Sequence, residues 1–168
     1  NFSDSSIQRL VEDRRWIESP EFERIKSIYG FVRDDILFGY NIDDNISASK
    51  VLSDGYGQCN TKGILFMALL RACHIPCRIH GFTIDKRLQK GAMTGFVYRK
   101  APDCILHSWV EIYFEETWYE LEAFILDRAY LDQLQKIYVD CRGAFCGYGI
   151  AVADFEHPII DFNRNNTY

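Results

Sequence analysis

Apolar residues recur at helical spacing over residues 5–38, with Ile7, Leu10, Val11 and Ile17 on one stripe and Phe22, Ile25, Ile28, Tyr29 and Val32 on another. Ser19-Pro20 interrupts the run, because the proline ring blocks the preceding helical turn, and the pattern therefore predicts two packing helices. Residues 39–57 lose the period and fill with Asn, Asp, Ser and Gly, which predicts a long loop holding a short helix over 48–52. Helical spacing returns over 60–73. There the apolar run 64–70 leaves almost no polar face, so this helix belongs in the interior.

After the His74-Ile75-Pro76 break, residues 77–83 alternate weakly and predict a strand, and residues 86–103, with several basic side chains, predict a partly extended insertion near the site. Branched and aromatic residues dominate 105–114 and 118–124. Glu115-Glu116-Thr117 separates them, the signature of an antiparallel hairpin. Residues 129–137 predict a short helix. The tail, 139–168, has glycines and the run Asn163-Arg164-Asn165-Asn166 but no regular period, and is expected to wrap the surface. No repeat and no linker divides the chain, so a single domain over 1–168 is expected, opened by the N-terminal helices at 5–38.

Composition supports a folded core. A chain of 168 residues buries about 70% of the surface its unfolded form exposes, and 48% apolar with 15% aromatic content is far from the make-up of disordered chains. A net charge of −5 argues against bulk attraction to nucleic acid or to an anionic membrane. The longest apolar run has seven residues, whereas a membrane span needs about 20, so no span is predicted. Six cysteines in a chain with this much core do not need to be paired, and reduced thiols in a cytoplasmic protein are the expectation.

Cys59 stands where a nucleophile would. A helix N-terminus presents unpaired amides and a partial positive charge that favour a thiolate, and Gly55 and Gly57 permit a tight approach into the helix that Cys59 opens. A single cysteine is more often a small buried hydrophobe; the polar first turn, Cys59-Asn60-Thr61-Lys62, weighs against that here. On the first hairpin strand, alternation puts His107, Trp109, Glu111 and Tyr113 on one face. If Phe114 pairs with Thr117 across a two-residue turn, Trp109 falls opposite Glu122 and His107 opposite Phe124, so Glu122 lies diagonal to His107, about 7 Å away at the side-chain root. A carboxylate there can hold the imidazole tautomer. Glu111 and Glu120 compete for the role on the same face.

These residues carry a resemblance. The run Gly57-Gln58-Cys59-Asn60-Thr61-Lys62, continuing through Ala68-Leu69-Leu70-Arg71-Ala72-Cys73-His74-Ile75-Pro76-Cys77-Arg78 to Gly81, resembles the cysteine motif of the transglutaminase-like superfamily. His107-Ser108-Trp109-Val110-Glu111-Ile112-Tyr113 resembles its histidine strand, and Trp118-Tyr119-Glu120-Leu121-Glu122 its strand from tryptophan to acid, with Glu122 where Asp is usual. All three blocks stand in the family order, within about residues 36–124.

The resemblance implies an α+β fold of the papain-like, transglutaminase-core kind, a buried helix with Cys59 at its start packed on an antiparallel sheet. It implies catalytic Cys59, His107 and Glu122 acting through a thioester on a peptide, protein or small amide substrate, with water or an amine finishing the cycle, or else a non-catalytic binding module of the same fold. Gln58, Tyr56 and Trp109 are candidates for the oxyanion or substrate site. No cofactor and no metal are expected, since the spacing of Cys73, His74, Cys77 and Cys104 is not a zinc-finger pattern.

Overall fold

The computed structural model describes residues 1–93 and 95–168. The chain opens with α1 (Ser5–Asp13) and α2 (Glu21–Gly30), joined by a short turn of helix at Trp16–Glu18. Asp4 caps α1 by accepting from the Ser6 amide at 3.0 Å. Ile7 and Val11 are buried from α1, and Ile25, Ile28 and Tyr29 from α2. Ile17 departs from the expected stripe. It is 47% exposed while Trp16 is 4% exposed, because Arg15 takes a left-handed φ of 53° after α1 and resets the helical phase.

A wide turn of helix at Phe31–Asp35 leads into β1 (Leu37–Phe38), which pairs in parallel with β2 (Tyr56–Gly57). Between them lies α3 (Ala48–Asp54), capped by the Ser47 hydroxyl on the Lys50 amide at 3.2 Å. Directly after β2 comes α4 (Cys59–Ala72), which carries Leu65, Phe66, Leu69 and Leu70 at zero exposure. Each such side chain contributes about 1.5–3 kcal/mol, against about 1 kcal/mol for a cap. Packing therefore holds α4, as its all-round apolar run requires.

The main sheet is antiparallel in the order β3 (Cys77–Asp85), β4 (Cys104–Phe114), β5 (Thr117–Leu121). Phe114 pairs with Thr117 and Val110 with Leu121, the register expected from the sequence. The second strand is shorter than expected. It ends at Leu121, where the chain turns with the Ile125 amide donating to the Glu122 carbonyl at 3.0 Å, so Phe124 does not pair with His107. The actual cross-strand partner of His107 is Phe82 on β3.

Where a partly extended insertion is expected over 86–103, residues 86–89 and 95–100 are helical. The Asp85 carboxylate accepts from the Arg87 amide at 2.8 Å and starts a turn over Lys86–Gln89, and α5 (Gly95–Lys100) follows; position 94 of that stretch lies outside the described residues. After α6 (Arg128–Ile137), the tail also departs from expectation. It forms a hairpin of β6 (Phe145–Gly147) and β7 (Ile150–Val152) and buries Phe155 and Phe162 in the core. Its end lies along β5: the Thr167 amide donates to Glu120 and the Glu122 amide to Thr167, both at 3.0 Å. The polar run that hides this segment's role in the sequence supplies hydrogen bonds to a strand edge.

Candidate active site

Cys59 is the first residue of α4 and is half-buried against the core. Gly57 makes its position possible: a Cβ there would stand 2.6 Å from the Thr61 hydroxyl and 3.2 Å from the Lys62 amide, so only glycine lets β2 run this close to the helix start. Thr61 then closes the first turn, its hydroxyl accepting from the Gln58 amide at 2.9 Å and donating to Asn41 Oδ1 at 2.6 Å.

His107 is 3% exposed. Its Nε2 lies 2.6 Å from Oε1 of Glu122, and its Nδ1 is buried without a hydrogen-bond partner. Burial by itself lowers the imidazole pKa, but hydrogen bonding and charge interaction with Cys59 and Glu122 overcome it and push the pKa from 6.5 up to about 9. The ring is thus an imidazolium at neutral pH, tied on one side to a carboxylate and coupled to the Cys59 thiol. Phe82 stands edge-on to it, ring centres 5.2 Å apart.

The carboxylates expected to compete for His107 are occupied elsewhere. Glu111 accepts from Arg78, from His80 Nδ1 at 2.8 Å and more weakly from Trp109 Nε1 at 3.4 Å. Burial would raise its pKa, yet those partners hold it below the usual carboxylate range. Glu120 accepts from the Tyr168 hydroxyl at 3.0 Å. Glu122 reaches the imidazole from the turn after β5, with its own amide held by Thr167.

Of the other residues singled out in the sequence, Gln58 gives its side-chain amide to Asp44. Tyr56 is 38% exposed and its backbone carbonyl accepts from Asn41. Trp109 packs on Phe82 and His80, ring centres 4.4 and 4.6 Å away, two residues along the strand from His107. Sequence reasoning assigned no role to Asn60, Ser108 and Asp44, and it named Tyr40 only as an aromatic residue that could line a substrate groove. Asn60 Oδ1 accepts from Ser108 at 2.8 Å and sits 3.8 Å from Cys59 Sγ, while its amide donates to Asp44 at 3.0 Å. Ser108 lies next to His107, so this chain of contacts ties the helix start to the histidine strand. Asp44 comes from a loop with no period to mark it.

Tyr40 is raised from 10 to about 12 by burial, by Tyr130 and by Cys59, which puts its phenol within the electrostatic range of the thiol. Among the described residues, no group of three or more His, Cys, Asp or Glu is arranged to hold a metal ion, and no helix is long and apolar enough to cross a membrane.

The chain has a counterpart among known families. The sequence model of the transglutaminase-like superfamily matches residues 8–123, more than half of the chain. The chain belongs to the transglutaminase-like superfamily. Its α+β architecture is the papain-like transglutaminase core. A crystal structure of a candidate cysteine protease from Cytophaga hutchinsonii is similar over 68% of this chain and 35% of that one, with 19% sequence identity and a TM-score of 0.50. The chain thus spans about a third of that protein's length. No curated protein matches it.

Proposed function

We propose that this superfamily member hydrolyses a peptide or other amide through a thioester on Cys59, with His107 as general acid and base and Glu122 orienting the imidazole. The observation that carries the reading is the division of the His107 ring: Nε2 is held by Glu122 at 2.6 Å, Nδ1 is buried with no hydrogen-bond partner among the described residues, and the ring as a whole interacts with Cys59. An imidazole placed only for packing would not leave one nitrogen in that state.

In the reaction the Cys59 sulfur attacks the carbonyl carbon as the thiolate. The oxygen takes the electron pair beside the first-turn amides of α4, which lack intrahelical partners and favour the oxyanion. Collapse breaks the C–N bond, and the imidazolium gives its proton to the departing amine. Water then attacks the thioester, His107 accepts a proton from it, and the carboxylic acid leaves as the sulfur regains its electrons. The name of the Cytophaga hutchinsonii neighbour supports water as the acceptor rather than an amine. The chain is proposed to work as a single domain, since α1, α2, α4, the sheet and the tail all contribute to one core.

The test is an amide library assayed by mass spectrometry with and without an added primary amine. Free acid from the wild type and none from Cys59→Ala is the expected result. Products carrying the added amine would replace hydrolysis with acyl transfer, and equal turnover by Cys59→Ala would remove the thiol from the chemistry.

A further inference from the structure

A cavity of about 450 Å³ is walled by Phe38, Tyr40, Tyr130, Leu134, Ile137 and Tyr148. That volume falls within the range of small-molecule sites, about 300–1,000 Å³. Its place in the fold ties it to Cys59. Phe38 is the direct partner of Gly57 in the β1–β2 ladder, the Gly39 amide donates to the Gly57 carbonyl at 3.0 Å, and Gly57 stands two residues before Cys59. Tyr40, next along the same wall, is raised to about 12 by burial first and then by electrostatic interaction with Tyr130 and Cys59.

The wall is built in advance. Phe38 packs edge-on against Tyr40 and Tyr130, with ring centres 5.7 and 5.0 Å apart. Tyr148 is fixed from the other side, its amide donating to the Lys90 carbonyl at 2.8 Å. Its ring lies so close over Gly91 that a Cβ there would be 2.4 Å from Cζ. The phenol hydroxyls are already engaged: Tyr40 donates to Gln89, Tyr130 to the Tyr148 carbonyl at 3.0 Å, and Tyr138 to the Tyr148 hydroxyl at 2.9 Å. Among the described residues, no charged side chain lines the cavity. It offers ring faces and aliphatic carbon with the neutral amide of Gln133 as a polar side chain, and a charged group entering it would lose water without gaining an opposite charge.

We infer that this cavity is the subsite for a bulky apolar side chain, aromatic or leucine-like, on the residue that supplies the acyl group. The inference rests on the thiol reading of Cys59 and adds the substrate class to it. Chloromethyl ketones of N-acetyl-phenylalanine, -leucine, -alanine and -aspartate test it, because the Cys59 thiolate displaces chloride to form a thioether whose rate reports side-chain fit. Cys59 should be alkylated about 10-fold or more faster by the phenylalanine and leucine reagents than by the other two. That advantage should fall below about threefold in Ile137→Asp, which puts a charge at the 67% exposed rim, and in Ala92→Phe, which fills the space; thermal unfolding checks that each variant is folded. Equal rates for all four reagents on the wild type would overturn the subsite, as would a preference that survives both variants. A phenylalanine preference in a protein that turns over no amide would leave the subsite standing and remove the hydrolytic reading instead.

Discussion

His107 holds its two ring nitrogens in different surroundings, and the account assigns each a separate task. Nε2 faces Glu122, so removing that charge should loosen orientation without removing the base. Glu122→Gln is expected to lower kcat/KM by about 10- to 10⁴-fold, measured on whichever amide the library identifies. Glu122→Asp should retain part of the activity, since the carboxylate survives on a shorter arm. An equally active Gln variant beside a dead His107→Ala would reduce the site to a cysteine and histidine pair. Cys73 provides the contrast: its thiol is buried and pushed up to about 11, so Cys73→Ser, if folded, should turn over at the wild-type rate. The pH dependence follows from the same ring. Because its pKa is about 9, turnover should decline as pH rises through that value and the imidazolium loses the proton meant for the departing amine.

At the scale of elements, Lys62 ties the nucleophile helix to the turn that carries Glu122. It is fully buried, three residues along α4 from Cys59, and its ammonium donates to the carbonyls of Arg33 at 3.1 Å and Ile125 at 2.9 Å. Burial lowers its pKa to about 7 against the opposing pull of Asp127 and Asp34. Lys62→Met would leave two buried carbonyls unsatisfied, at about 1–3 kcal/mol each, and chemical denaturation should show the loss.

The sequence reads well where one signal decides. The apolar run of α4 and the β4–β5 register follow from periodicity and turn length, whereas the contact of Glu122 with His107 is made from the turn after β5, where strand alternation no longer applies. Three features were illegible for a physical reason. Lys62 reads as a solvated helix-start residue because its carbonyl partners come from positions 33 and 125. The tail reads as aperiodic because Thr167 bonds Glu120 and Glu122 through its backbone and Asn166 and Tyr168 reach Glu120 through polar side chains, none of which leaves an apolar period. Asp44 contacts Gln58 and Asn60 from a loop whose conformation no pattern encodes.

For the whole molecule, His107 and Lys62 oppose each other in the stability curve. The folded pKa of His107 is raised, so its stabilising contribution is fully present below 6.5 and is lost as pH rises through about 9. For Lys62 the folded pKa is depressed, so the unfolded chain binds more protons between about 7 and 10.5, and its contribution improves as pH rises through that window. Lys62→Met should therefore be more destabilising at pH 9 than at pH 6.5, while a His107→Ala variant should lose less of its stability than the wild type as pH rises from 6.5 to 9. Denaturant midpoints of both variants against the wild type, taken across that range, check the two signs.

The central claim is that Cys59 and His107 act as one unit at the start of α4. Its most direct test is the rate of iodoacetamide alkylation at each of the six cysteines, followed by peptide mass spectrometry at pH 6–9 in the wild type and in His107→Ala. The account predicts that Cys59 reacts fastest of the six at neutral pH and that His107→Ala slows it about 10-fold or more there, leaving the other five unchanged. A faster reaction at another cysteine, or a Cys59 rate indifferent to the loss of His107, would contradict it.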